Sequence, residues 1–514
     1  MQSINYKKQL YILLLATIII KVIVAFFVEL GNDEVYYWTY ALQPDYNHFD
    51  HPPMVGLLIR LTSLNLIWVN DVSLRLGAIF GCAISSWFIF LIGKTIRNER
   101  TGWYAALIYN CSVYAGIIAG LFILPDSPQM PLYTAALYVM SLIIFQQKEK
   151  QANLWFWLGL LIGLACLCKV HGLYLWAGLG LFILSKRIKW LLNWRLYVAF
   201  VITLICLLPI VYWNIVNDFI TYKFHAERVT HTSLQWDMLL QEIVGEFAYQ
   251  NPVIFILIIT GILIGIKRKV LFTATTNTWL VCMSVPMIVL FWGIALFNPT
   301  LPHWSGPGYL PLYFFAAIYL ENITQKIYPL AIKIAGGLIV VVLLIGVLAI
   351  QLVPTNFGSH DAKNYGEFCP TLDISGWKDF SKKFNDLVKE DIATKQMPAN
   401  APIVVGKWFP AGHLEFYTSR LTGQRVLGVG LLQDVHKFAW LNTIRQPLAI
   451  GDDAYCIVPS NLPFNVNDAY GKFFATIESP VMINQMRSGK AVRYFYVYRL
   501  KGCKQVPAAL LSKH

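Results

Sequence analysis

Two adjacent carboxylates, Asp33 and Glu34, stand in GNDEVYYWTYALQPDYNHFDHPP (31–53), just after the first long apolar run and ahead of Asp50-His51-Pro52-Pro53. A carboxylate held in a fixed place can take the proton of an attacking hydroxyl. Position alone fits a bland reading equally well, that of the solvated acidic end of a membrane span. The residues that follow count against it. Val35 to Leu42 pattern as an amphipathic helix whose Tyr and Trp suit the membrane–water boundary. Pro52-Pro53 then opens a second apolar helix, MVGLLIRLTSLNLI, with Asp50 or His51 placed to cap it. The loop 29–75 is therefore expected to fold onto the membrane surface and hold its carboxylates still.

Four more stretches carry chemistry. Asp126 lies between two prolines in LPDSPQMP, which is good turn chemistry but also adds a carboxylate. Lys169 interrupts LACLCKVHGLYLWAG, where a mid-bilayer lysine costs about 2.5–3.5 kcal/mol and is a functional candidate by default. Its bland alternative is a cation snorkelling from a hairpin tip. A cation at a membrane face suits a lipid phosphate, and His171 reads as structural. The segment 212–233 supplies Tyr222, Lys223, His225, Arg228 and His231, cationic and aromatic groups fit for phosphate or sugar, or simply a solvated loop. Last, LPHWSGPGYLPLYF brings in His303 and Trp304 as sugar-facing candidates. No spacing motif calls for a cofactor, although Asp, Glu and His on one face can ligate a divalent metal.

The elements that must position these residues are membrane helices. The 514-residue chain is 57% hydrophobic and only 13% charged, with mean hydropathy +0.53. Soluble domains carry about 25% charged residues. Its net charge of +13 comes from short Lys/Arg clusters between apolar runs, which excludes a nucleic-acid-binding surface. No cleavable leader is expected, since the first run lacks a small-residue cleavage site. About eleven spans are expected: 9–28, 76–96, 103–123, 131–146, 153–168, 172–185, 196–214, 252–266, 278–297, 305–320 and 330–353. One set of alternate loops holds sixteen basic residues and the other, much longer set holds five, so the N-terminus is expected in the cytoplasm and every candidate residue outside.

Residues 1–353 thus read as a membrane domain with 29–75 as its first external loop, and 354–514 as an external α/β domain. In the latter, GWKDFSKKFNDLVKE has helical spacing, and APIVVGKWF, AYCIVPS and VRYFYVYRL read as strands. Six of nine cysteines lie in apolar segments as small hydrophobes. Cys456 and Cys503 flank strands in an oxidising compartment and are expected to pair.

GNDEVYYWTYALQPDYNHFDHPPMVGLLIRL, LPDSPQMPLYTAALY, LACLCKVHGLYL, LLPIVYWNIVNDFITYKFHAER and PHWSGPGYLPLYFFAA occur in that order. Together they resemble bacterial GT-C glycosyltransferases related to protein O-mannosyltransferases and to the lipid A aminoarabinose transferase, over roughly residues 1–330. The resemblance implies a polytopic, inverting transferase that takes one sugar from a polyprenyl-phosphate carrier. It implies Asp33 as general base and Lys169 at the donor phosphate; Glu34 and Asp126, read from the residues themselves, are the rival catalytic carboxylates. Topology argues the same way: nucleotide sugars are made in the cytoplasm, so an enzyme with an external site needs its sugar delivered on lipid. The acceptor is a glycolipid, polysaccharide or protein. A transporter or flippase would show repeat symmetry and midplane charge, whereas here charge gathers at one face. A non-catalytic glycan-assembly partner is the third reading.

Overall fold

The computed structural model describes residues 4–227, 233–267 and 271–506. The chain divides into two compact units. One comprises Met1–Ile23 and Asp45–Val342, and the other Val24–Pro44 and Leu343–His514.

The larger unit is helical. Hydropathy predicts its long helices because a spanning segment must satisfy its backbone internally and face lipid with apolar side chains. The chain begins with α1 (Tyr6–Phe27). After α2 (Asn32–Leu42), which belongs to the other unit, come α3 (Met54–Thr62), α4 (Asp71–Ile96), α5 (Glu99–Cys111) and α6 (Asp126–Phe145). There follow α7 (Ala152–Cys168), α8 (Tyr174–Lys186), α9 (Trp194–Val216), α10 (Ile220–Glu227), α11 (Trp236–Tyr249) and α12 (Pro252–Lys267). The set closes with α13 (Ala274–Ala295), the short α14 (Gly306–Tyr309), α15 (Tyr313–Ile323) and α16 (Leu330–Leu352), which from Leu343 counts with the other unit. Trp103, Trp155 and Trp279 are fully buried in one continuous apolar core.

Each of the eleven expected spans contains helix, but the count of eleven is not established. Among the described residues six helices are long and apolar enough to cross a bilayer: α1, α4, α6, α9, α13 and α16. A seventh crossing forms if α11 and α12, bent by 100° at their junction, count as one. The span expected at 103–123 breaks after Cys111 into a wide turn, Tyr114–Ile118, and α7 and α8 are short. Periodicity registers apolar length, whereas these breaks depend on neighbouring helices that re-satisfy the freed backbone groups.

The smaller unit is the expected α/β fold. Its six strands are β1 (Ile403–Val405), β2 (Val426–Gly428), β3 (Ala454–Pro459), β4 (Phe474–Ile477), β5 (Val481–Arg487) and β6 (Lys490–Cys503). β1 lies parallel to β2 and β3, while β6 runs antiparallel to β3, β4 and β5. The amphipathic α18 (Trp377–Ala393), preceded by the short α17 (Pro370–Asp373), buries Trp377, Phe380, Phe384 and Val388. The disulfide expectation is overturned: all nine cysteines are free. Register explains it. Cys456 pairs with Tyr498, five residues before Cys503 on the same strand. Five residues span roughly 16 Å along a strand, far beyond disulfide reach.

Two local expectations also change. α3 starts from Pro53 without a side-chain cap, so neither Asp50 nor His51 caps it. α2 is not a half-exposed helix: every residue from Glu34 to Ala41 is buried, because α2 packs within the smaller unit against α19 (Trp408–His413).

Candidate active site

At the centre of the larger unit's polar cluster is an ion pair. Lys169 Nζ stands 3.1 and 3.0 Å from the two Asp126 carboxylate oxygens, and the residues are 3% and 2% exposed. Lys169 therefore does not snorkel. It occupies the break between α7 and the single turn Val170–Leu173, in extended backbone. Gln129 Nε2, from the first turn of α6, donates to the Lys169 and Ala165 carbonyls and pins that break. Asp126 begins α6, where the helix dipole favours a negative charge. Tyr114, in the wide turn after α5, donates its hydroxyl to Asp126 Oδ1 at 2.9 Å. The Tyr114 ring lies so close to Gly306 that a Cβ there would stand 2.4 Å from it, which explains the glycine after Ser305.

His51 and His303 face this pair. Desolvation holds His51 down at about 4, against the pull of Asp50 and helped by Lys169 and His225. It holds His303 at about 4 as well, where Lys169 and His51 lower and Asp126 raises. Both imidazoles are neutral at neutral pH. The segment carrying His51 is fixed by α10: Asn47 Nδ2 donates to Thr221 Oγ1 at 3.1 Å, Phe49 packs on Phe224 at 4.5 Å, and His225 Nε2 meets the Asp50 carbonyl at 2.9 Å. Trp304 packs edge-on against Phe291, which in turn stacks on His171.

Asp126, Lys169, Asp50, His51, His225 and His303 thus share one neighbourhood. Tyr222 and Lys223 are exposed on α10. Arg228 and His231 lie outside the described residues. Among the described residues no three His, Cys, Asp or Glu side chains are grouped to hold a metal ion.

The smaller unit carries Asp33 and Glu34, and the two differ. Asp33 is exposed in the first turn of α2. Glu34 is 2% exposed, and its Oε2 accepts from the Gly31 N–H at 2.9 Å, closing the helix start as a capping-box glutamate does.

Sequence reasoning missed Tyr114, whose run CSVYAGIIAG gives no hint. It also missed Glu246, which accepts from Trp292, Ser305 and Tyr309 and so anchors the turn beside His303. Here a signal existed: Glu242 and Glu246 stand four apart in a helix that is mostly apolar from Met238 onward.

This multi-pass membrane chain has the fold of the solved ArnT structures, a helical membrane unit together with an α/β unit. Residues 50–213 match the family model described as dolichyl-phosphate-mannose-protein mannosyltransferase. The chain is 22% identical over 286 residues to the lipid A galacturonosyltransferase RgtD of Rhizobium johnstonii, covering 54% of this chain and 58% of that one. It is 24% identical over 360 residues to the undecaprenyl phosphate-alpha-4-amino-4-deoxy-L-arabinose arabinosyl transferase of Yersinia enterocolitica, covering 63% and 62%. The chain thus spans about three fifths of these curated relatives. Among solved structures, ArnT from Cupriavidus metallidurans in the apo state superposes with TM-score 0.58 at 13% identity, covering 96% of this chain and 98% of that one. The same protein bound to undecaprenyl phosphate gives TM-score 0.57 at 14% identity, covering 95% and 97%.

Proposed function

We propose that this protein transfers one sugar from a polyprenyl-phosphate donor to an acceptor hydroxyl, with inversion, at the external face of the cytoplasmic membrane. The buried Lys169–Asp126 pair carries the reading, because it lies inside the family-matched segment and has a cation to offer. An ammonium has three N–H donors. Two go to Asp126, leaving one for a phosphate oxygen. The neutral His51 and His303 add hydrogen-bonding groups, which leaves Lys169 as the cation for the phosphate.

In the proposed step the acceptor oxygen attacks the anomeric carbon and its proton passes to Asp33. The bond from that carbon to the phosphate oxygen breaks, and the electron pair leaves with the polyprenyl phosphate, whose charge Lys169 balances. Tyr222, Lys223 and Arg228 are proposed to contact the donor lipid phosphate region, and Asp50, His51, His225, His303 and Trp304 the sugar. Glu34 keeps α2 in place. The name of the Rhizobium relative carries lipid A, which supports a glycolipid as acceptor, and that of the Yersinia relative carries an undecaprenyl-phosphate sugar, which supports the donor. The membrane domain is proposed to span 1–353 and the external domain 354–514.

The test has two arms. Mass spectrometry of envelope glycolipids from a deletion strain should show one sugar missing from one lipid pool. Purified protein should release polyprenyl phosphate in step with glycosylated acceptor. Donor carried across a vesicle bilayer with its sugar–phosphate bond intact would replace this reading with transport.

A further inference from the structure

The smaller unit grips the four residues before Asp33 one after another. Glu29 Oε2 accepts from the Trp377 N–H at 2.8 Å and Oε1 from the Lys378 N–H at 3.3 Å, so this carboxylate caps the start of α18. The Leu30 N–H donates to the Tyr417 hydroxyl at 2.7 Å. Gly31 is held by Glu34. Asn32 Oδ1 accepts from His413 Nε2 at 2.8 Å, and the Asn32 side chain also bonds Asp373.

The His413 ring is itself fixed. It stacks on Trp377 at 4.1 Å with the planes 3° apart, and the Arg493 guanidinium lies 4.4 Å from the Trp377 ring. Tyr417 continues the stack beyond His413 at 6.1 Å. His413 is fully buried, and desolvation, with Arg493 adding to it, keeps it neutral. Gly412 lets α19 close on α2, since a Cβ there would stand 2.9 Å from Val35.

These hydrogen bonds do more than attach α2. Apolar contacts already hold the rest of the helix, with Trp38 edge-on to Phe416 and Tyr36 on Trp408. The hydrogen bonds at 29–32 lie directly ahead of Asp33, the exposed carboxylate of the first turn of α2. We infer that His413 and Tyr417 are positioning residues: with the Trp377 stack they set the register and direction of the first turn of α2, and so aim Asp33. This rests on the reading of Asp33 as the base. A misplacement of about 1 Å can cost two orders of magnitude in rate even when it originates away from the reacting atoms.

The test uses the purified full-length protein and three variants. His413→Phe keeps the ring on Trp377 without the donor, His413→Gln returns a side-chain N–H, and Tyr417→Phe frees the Leu30 amide. His413→Phe and Tyr417→Phe should each lower kcat about tenfold, or ~1.4 kcal/mol of barrier. Affinity for undecaprenyl phosphate should stay unchanged, and hydrogen exchange at 30–34 should quicken. His413→Gln should restore both kcat and slow exchange. If Asp33→Asn is inactive while His413→Phe keeps wild-type kcat, the inference fails and the base survives. If Asp33→Asn turns over normally, the base reading fails and the inference with it. A kcat loss matched by weaker undecaprenyl phosphate binding, with no rescue by Gln, would make the stack merely structural and overturn the inference.

Discussion

Lys169 and Asp126 depend on one another, and that determines how each variant should behave. Lys169→Ala leaves a 2%-exposed carboxylate with the neutral Tyr114 hydroxyl as a donor. Breaking a buried pair from one side costs about 3–5 kcal/mol, whereas removing both charges is often near neutral. Thermal unfolding in detergent should therefore show a large loss for Lys169→Ala and recovery for Lys169→Met with Asp126→Asn, although neither turns over. Equal stability of the single variant and wild type would mean water enters the site freely. His51 and His303 set a pH limit. Their folded pKa of about 4 lies below the ordinary histidine value of 6.5, so between pH 6.5 and 4 the unfolded chain binds more protons. Stability should fall as pH drops through that window and be fully present above it. His51→Gln and His303→Gln should each flatten the acid limb of Tm against pH, and an unchanged limb in both would show that neither group is desolvated. Lys169 and Asp126 were both legible as charges where apolar residues are the rule. Their pairing, 43 residues apart, was not, since no local pattern encodes which helix ends meet.

At the scale of the element, α2 shows where local reading ends. Its boundaries and aromatic content follow from the sequence, and the Glu three residues after Gly31 is a capping signal. Its amphipathic pattern nevertheless suggested an interfacial helix, whereas both faces are buried because residues 408–417, almost 400 positions away, supply the second covering surface. Asp33 and Glu34 consequently have different fates on substitution. Glu34→Gln keeps an oxygen acceptor for the Gly31 N–H, so the cap weakens by at most about 1 kcal/mol and turnover should stay within about tenfold of wild type. Asp33→Asn removes a proton acceptor, and loss of a general base typically costs about 10²–10⁴ in rate. Turnover of both variants at saturating acceptor checks the order. A dead Glu34→Gln beside an active Asp33→Asn would exchange their roles. The same limit of local reading accounts for the broken helices: α11 and α12 form one apolar stretch by composition, yet bend 100° at Gln250–Asn251, where Asn251 Nδ2 donates to carbonyls of Cys111 and Ala335.

For the whole molecule, the two units reuse the chain in an order that hydropathy conceals, since Val24–Pro44 leaves the helical unit to join the sheet-bearing one. Packing of distant segments, not local polarity, decides which compact unit a helix joins. The asymmetry of Lys and Arg is a separate and more global signal, because it reflects insertion rather than packing. It predicts that the smaller unit lies outside the cytoplasmic membrane, with the loop at 147–151 inside. The two sides can be tested together with a membrane-impermeant maleimide on spheroplasts. Lys363 and Lys150 are exposed, and the cysteines of the smaller unit, Cys369, Cys456 and Cys503, are buried and so silent. Lys363→Cys should label in intact spheroplasts, and Lys150→Cys only after the membrane is opened. The reverse pattern would put Asp33 in the compartment where nucleotide sugars are made. A lipid-linked donor would then be unnecessary, and the cation at Lys169 would have to be explained by some other anion.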